Sequence, residues 1–146
     1  MKLLPCLLAA LSFCLLGCDN HESEEKKLQQ EVIKIHDEVM PQGGLVMNNK
    51  MKLDTLVGNL DSLKKLNASL DTVAEKQIMQ NLLHELTSAD DAMSEWMNKF
   101  NLDYTGKDHE AIMNYLEEEK QKIEKIKKQF SDVLNKSDFY LSSYRK

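Results

Sequence analysis

Apolar residues recur along most of this chain at alternating three- and four-residue spacing, the period of an α-helix that buries one stripe. Leu28, Val32, Ile35 and Val39 begin the series, and Val46, Leu53, Leu56, Leu60 and Leu63 continue it. Pro41-Gln42-Gly43-Gly44 interrupts them, because proline lacks an amide donor and the two glycines favour coil. Yet Val32, Val39, Val46, Leu53 and Leu60 are all seven apart, so the heptad phase carries across the interruption. The pattern predicts one helix kinked near Pro41–Gly44 rather than two independent ones. Asn67–Asp71 reads as a turn, with Thr72 and Glu75 spaced as a capping box for a second helix. That helix carries Met79, Leu82, Leu86, Ala89, Met93, Trp96 and Phe100. Asn101–Lys107 contains the turn signal Asp103-Tyr104-Thr105-Gly106, and Asp108 is then placed to cap a third helix, with Glu110 near the positive end of its dipole. Its stripe is Ile112, Leu116, Ile123, Ile126, Phe130, Val133 and Tyr140.

No strand-like alternation occurs, so the fold class is all-α: an antiparallel three-helix bundle with coiled-coil-like packing. A longer, self-associating coiled coil is the alternative. The polar face of the third helix pairs Glu118 with Lys122 and Glu124 with Lys128 at four-residue spacing. Glu117 and Lys120, like Glu124 and Lys127, are three apart. Such a run reads as a solvated face. Glu119 alone among the acids falls on an apolar stripe, where a long side chain is expected to reach out to solvent.

The first residues follow a different rule. Lys2 precedes a charge-free run, Leu3–Leu16, of roughly 14 residues, short of the about 20 that a spanning helix needs and within the length of a secretory core. The run ends in Leu15-Leu16-Gly17-Cys18 and turns abruptly polar at Asp19. This segment resembles the lipobox of bacterial lipoproteins. The resemblance implies that residues 1–17 are a signal peptide and that Cys18 becomes the acylated N-terminus. Residues 18–25 would then comprise the lipidated cysteine and a flexible tether, and residues 26–146 a helical domain. Two or three acyl chains suffice for stable membrane attachment. Asp19 resembles an inner-membrane retention signal, whereas Glu22, Glu24 and Glu25 resemble a surface-export signal, so the location reads as the cell envelope with the membrane left open.

Removing residues 1–17 changes the composition. Cys6 and Cys14 leave with them, so one of the three cysteines remains and no intrachain disulfide can form. Lys2 also leaves, so 18 of 19 basic residues face 24 acidic ones, a net charge of −6. An acidic domain has no electrostatic attraction for nucleic acid, which is excluded as a partner.

The sequence contains no Gly-rich phosphate loop, no G-x-S-x-G elbow and no H-E-x-x-H or C-x-x-C-H motif. No catalytic residue is assigned, and the chain reads as non-enzymatic. The seven methionines that remain without Met1 are the unusual feature. With helix turns near residues 69 and 104, Met47 falls level with Met93, and Met97 level with about Ala111, near Met113. His36, Met40, Met47 and Met51 lie at heptad positions e, b, b and f, off the main stripe. His36, Met40, Met47, Met93, Met97 and Met113 therefore form a candidate rim. Its thioethers and imidazole suit Cu(I) as a cofactor, or, through a His/Met pair, a haem. Methionines as core filler or as a contact for a protein partner are the competing reading.

His36-Asp37-Glu38-Val39-Met40-Pro41 and Asp90-Asp91-Ala92-Met93-Ser94-Glu95-Trp96-Met97 resemble segments of small helical lipoproteins of Gram-negative bacteria that carry a "viral A-type inclusion protein"-like label. The resemblance implies a helical, lipid-anchored protein and no particular activity. In that group a basic residue often stands where this chain has Gln42-Gly43-Gly44. The sequence as a whole reads as a binding or structural module, with Cu(I) binding as the rival.

Overall fold

A computed structural model describes residues 19–144; residues 1–17, expected to be a signal peptide, and Cys18 lie outside the described residues. Among the described residues every regular element is an α-helix: α1 (Asp19–Val39), α2 (Gln42–Gly58), α3 (Leu60–Leu66), α4 (Thr72–Lys99) and α5 (His109–Ser142). The expected first helix is thus three segments. At the first break, Met40 and Pro41 form a turn in which the Met40 amide still donates to the His36 carbonyl, and Gly43 donates to Met40. Gly43 and Gly44 themselves are helical, so the break belongs to the proline. The second break, at Asn59, was not expected. There the Asn59 side-chain amide donates to the Thr55 carbonyl at 2.8 Å, next to Gly58, a poor helix former.

Residues 19–25 are a correction. They belong to α1 rather than to a coil tether, and the acids at its start favour a helix N-terminus. The cap of α4 is also displaced by one residue: Asp71 accepts from the amides of Val73 and Ala74. Glu75 instead receives the hydroxyls of Tyr140 and Tyr144, tying the start of α4 to the end of α5. Asp108 caps α5 as its sequence indicates, accepting from the Ala111 amide at 2.9 Å.

Val32, Val39, Val46 and Leu53 are fully buried and Leu60 nearly so, despite the two breaks. They meet Leu86, Met93, Ile123 and Phe130 in one core. Each such side chain contributes roughly 1.5–3 kcal/mol on full burial. α1 packs against α5, α2 against both α4 and α5, and α3 against α4. Cross-helix bonds set the register. Glu31 meets Lys120 and Glu38 meets Lys127 at an offset of 89 residues, and Asn49 meets Ser137 and Asp138 at 88 and 89. α1 and α2 therefore run in the direction of α5 at a common offset. α4 runs opposite, with Glu85 at Lys136 and Ser88 at Gln129.

These bonds also redirect the charged face of α5. Lys120 and Lys127 reach across to α1, Lys122 pairs with Glu119, and Lys128 pairs with Asp132. The carboxyls of Glu31 and Glu38 are held below their ordinary value of 4.5, first by the hydrogen bonds from Lys120 and Lys127 and then by the same charges.

The connection between α4 and α5 corrects the expected register. The loop spans residues 100–108, close to the Asn101–Lys107 expected, and is wider than a single turn centred at 104; the Asn101 and Asp103 side chains accept from the amides two residues on. Gly106 takes φ 78°, a left-handed conformation that suits glycine. Phe100 consequently lies beside Tyr115, with ring centroids 6.3 Å apart. Met97 falls opposite the region of Glu118, about two turns beyond Ala111. The first two turns of α5 extend past the end of α4 and lie along α1, where Leu28, Ile112 and Leu116 form a second, smaller cluster.

Three outcomes follow. Leu86→Asp or Ile123→Asp, each placing a charge at a fully buried site, should cost several kcal/mol in urea unfolding, roughly 3 or more, while exposed Gln121→Ala should cost under about 0.5 kcal/mol. Asn49→Ala should cost about 1–3 kcal/mol, because buried Ser137 loses a donor; a neutral result would mean that the pair plays no part in holding α2 to α5. The contribution of Glu31 and Glu38 is complete above pH 4.5 and lost as the pH falls through their lowered values. Melting temperature should therefore drop between pH 6 and pH 3 by less in the Glu31→Gln/Glu38→Gln variant than in the wild type.

Candidate functional site

The six residues of the expected methionine rim differ in burial and in what they pack against. Met40, Met47 and Met97 are 44, 49 and 40 % exposed. Met93 is 4 % exposed and belongs to the main core with Val46 and Trp96. Met113 packs against the second cluster, beside Leu28. His36 lies against the Trp96 indole, with ring centroids 5.6 Å apart, and its Nδ1 is 3.0 Å from Asp37 Oδ1. Residues 100–108 set Met113 in the part of α5 that extends past the end of α4, against α1. Core filling accounts for Met93, and surface exposure for Met40, Met47 and Met97.

Two polar features occupy the face between α4 and α5. Glu119 is buried rather than extended to solvent, and Lys122 Nζ reaches it at 2.7 Å. This hydrogen bond is the main cause of a Lys122 pKa above the ordinary lysine value. Trp96 and Glu119 line a groove of about 350 Å³ together with Lys99, Lys122 and Ile126. The Trp96 indole Nε1 is buried without a hydrogen-bond partner among the described residues.

The densest group of ligating side chains is elsewhere, where the first turns of α1 meet the start of α5. His21, Glu24 and Glu25 share one face of α1, since residues three and four apart are neighbours on a helix. His109 is the first residue of α5, set by the Asp108 cap before it. Its register partner at the 88-residue offset is His21, and the two rings lie 4.2 Å apart, tilted by 56°. Glu25 Oε1 is 2.8 Å from His109 Nδ1, and Glu24 Oε2 is 3.9 Å from His109 Nε2. One ligand atom each from His21, Glu24 and His109 lies within 4.8 Å of the others. Glu25 and His109 are partly covered, whereas His21 and Glu24 are exposed. Two imidazoles and a carboxylate can hold a divalent ion, and the second carboxylate can orient one of the imidazoles.

Sequence reasoning missed this group because it sought paired ligands within one segment and read residues 19–25 as coil. The detectable signal is His21-Glu22-Ser23-Glu24-Glu25 at helical spacing, together with His109 within one residue of the 89-residue offset that the two charge pairs of α1 and α5 share.

Comparison with protein-family models, curated proteins and solved structures finds no match for this chain.

Proposed function

We propose that the chain is a lipid-anchored, non-enzymatic helical module of the bacterial cell envelope, acting as a binding or structural element. The observation that carries this reading is Leu15-Leu16-Gly17-Cys18 at the end of a charge-free run of secretory length, followed at once by polar sequence. No helix among the described residues is long and apolar enough to cross a membrane. Acyl chains on Cys18 would supply attachment without one. α1 is helical from Asp19, the first described residue.

The body itself we read as an antiparallel up-down-up three-helix bundle. α1, α2 and α3 form one broken column, and α4 and α5 are the other two members. The common 88–89 offset of α1 and α2 on α5 supports treating them as one column, as does the opposite direction of α4. Met40, Leu45, Met47 and Met51 are between 44 and 56 % exposed on this column. Flexible thioethers adapt to irregular surfaces, so this side suits contact with a protein partner.

The anchor is tested by growing cells with labelled palmitate. Cys18→Ala should abolish labelling and leave unprocessed precursor, whereas Cys14→Ala should do neither. A labelled and processed Cys18→Ala protein would refute the anchoring proposal.

A further inference from the structure

We propose that His21, Glu24 and His109 bind a borderline divalent transition-metal ion of the Zn(II) class, with Glu25 holding His109 in position behind it. The argument starts from protons. An ionised carboxylate can only accept, so the 2.8 Å contact between Glu25 Oε1 and His109 Nδ1 places a proton on Nδ1. In the neutral ring the lone pair is then on Nε2, the atom that faces Glu24 Oε2 at 3.9 Å. His21 closes the third side, its ring centroid 4.2 Å from that of His109. Two acceptors this close are satisfied by a cation between them, either a proton on Nε2 or a metal ion. The metal ion leaves the Glu25 bond intact, the carboxylate–histidine–metal arrangement by which outer groups orient a ligating imidazole.

The donor types select the ion. Two imidazole nitrogens and one carboxylate oxygen suit Zn(II) and its borderline neighbours. A single carboxylate is too few hard oxygens for a Ca(II) or Mg(II) site, and none of the three side chains carries a sulfur for Cu(I). Bonds of about 2.0–2.2 Å put tetrahedral ligand atoms roughly 3.4 Å apart. The three atoms already lie within 4.8 Å. His21 and Glu24 are exposed, so rotation about their side-chain bonds can close the remainder, while His109 stays fixed by Glu25 and by its place after the Asp108 cap. Three protein ligands leave a fourth position for water. The ion would bridge the first turn of α1 to the first turn of α5, where α4 gives no cover and the apolar cluster is small.

The test uses the full-length chain in detergent micelles, with Cys6→Ala, Cys14→Ala and Cys18→Ala so that no thiol competes for the ion and acylation plays no part. Failure of the anchoring proposal therefore leaves this experiment unaffected. Calorimetric titration with Zn(II) should show one equivalent bound with Kd of about 1 µM or tighter, and saturating Zn(II) should raise the melting temperature. Co(II) should give the visible absorption of a low-symmetry site. Against this background, His21→Ala should weaken binding at least tenfold and Glu25→Gln by about 10–100-fold, while His84→Ala on α4 should leave it unchanged. His109→Ala should remove binding; should that variant lose helix by circular dichroism, exposed His21→Ala decides the matter alone. The proposal is overturned by the absence of saturable binding tighter than about 100 µM. It is equally overturned by wild-type affinity in His21→Ala, or by a binding loss that follows His84→Ala instead.

Discussion

The packing of five apolar residues spaced by sevens, from Val32 to Leu60, against α4 and α5 is the constraint on which the rest of this molecule depends. All five are buried although the helix that carries them is broken at Pro41 and again at Asn59. A residue added or lost at either break would rotate every later position by about 100° and expose the stripe. The Met40–Pro41 turn avoids this because its i to i−4 bond from Met40 to His36 keeps the helical path into the turn. The offset to α5 is 89 before the break, at Glu31 and Glu38, and 88 to 89 after it, at Asn49.

Asn49 adds direction to what apolar burial leaves permissive. Burial alone tolerates small axial slides, since one aliphatic contact resembles the next. An amide that donates to Ser137 at 2.9 Å and to Asp138 at 3.0 Å does not. Buried polar contacts of this kind fix register better than they add stability. The lysines of α5 act at longer range along the same line. Lys120 and Lys127 extend to α1 because the parallel offset brings opposite charge within reach, and they are thereby withdrawn from partners on their own helix. Exposed pairs of this kind contribute little individually.

The two ends of the molecule differ for a topological reason. Where α4 is present, α2, α4 and α5 enclose a core that includes Leu86, Met93 and Phe130. Beyond the end of α4, α1 and α5 continue together and, among the described residues, bury only Leu28, Ile112 and Leu116 between them, with Tyr104 from the loop packed against these. Two helices alone cannot surround an apolar stripe, so polar and charged groups take a larger share of the contact there. His109, Glu24 and Glu25 meet in that setting. A cation at this end would tie together the part of the fold that apolar burial holds least, and on the anchoring proposal it would lie close to the membrane.

Periodicity made the helical class and most of the core legible in the sequence, because a stripe that must be buried writes itself at a spacing set by the helix. The Asp108 cap was legible for a similarly local reason: a side chain and an amide three residues apart meet whatever the remainder of the chain does. The helical state of residues 19–25 was not, since their polar composition lacks an apolar period and their helix is completed by contacts to α5. The place of the α4–α5 connection was legible in its turn residues, but the level at which it sets α5 against α4, about two turns from that of a single turn at 104, was not. That level sets Met113 past the end of α4, while the parallel offset of α1 and α5 brings together His21 and His109, 88 positions apart. Local sequence determined which residues are helical and which face is buried. Which distant side chains become neighbours was decided by loop length and inter-helix register, quantities that appear only once the helices pack.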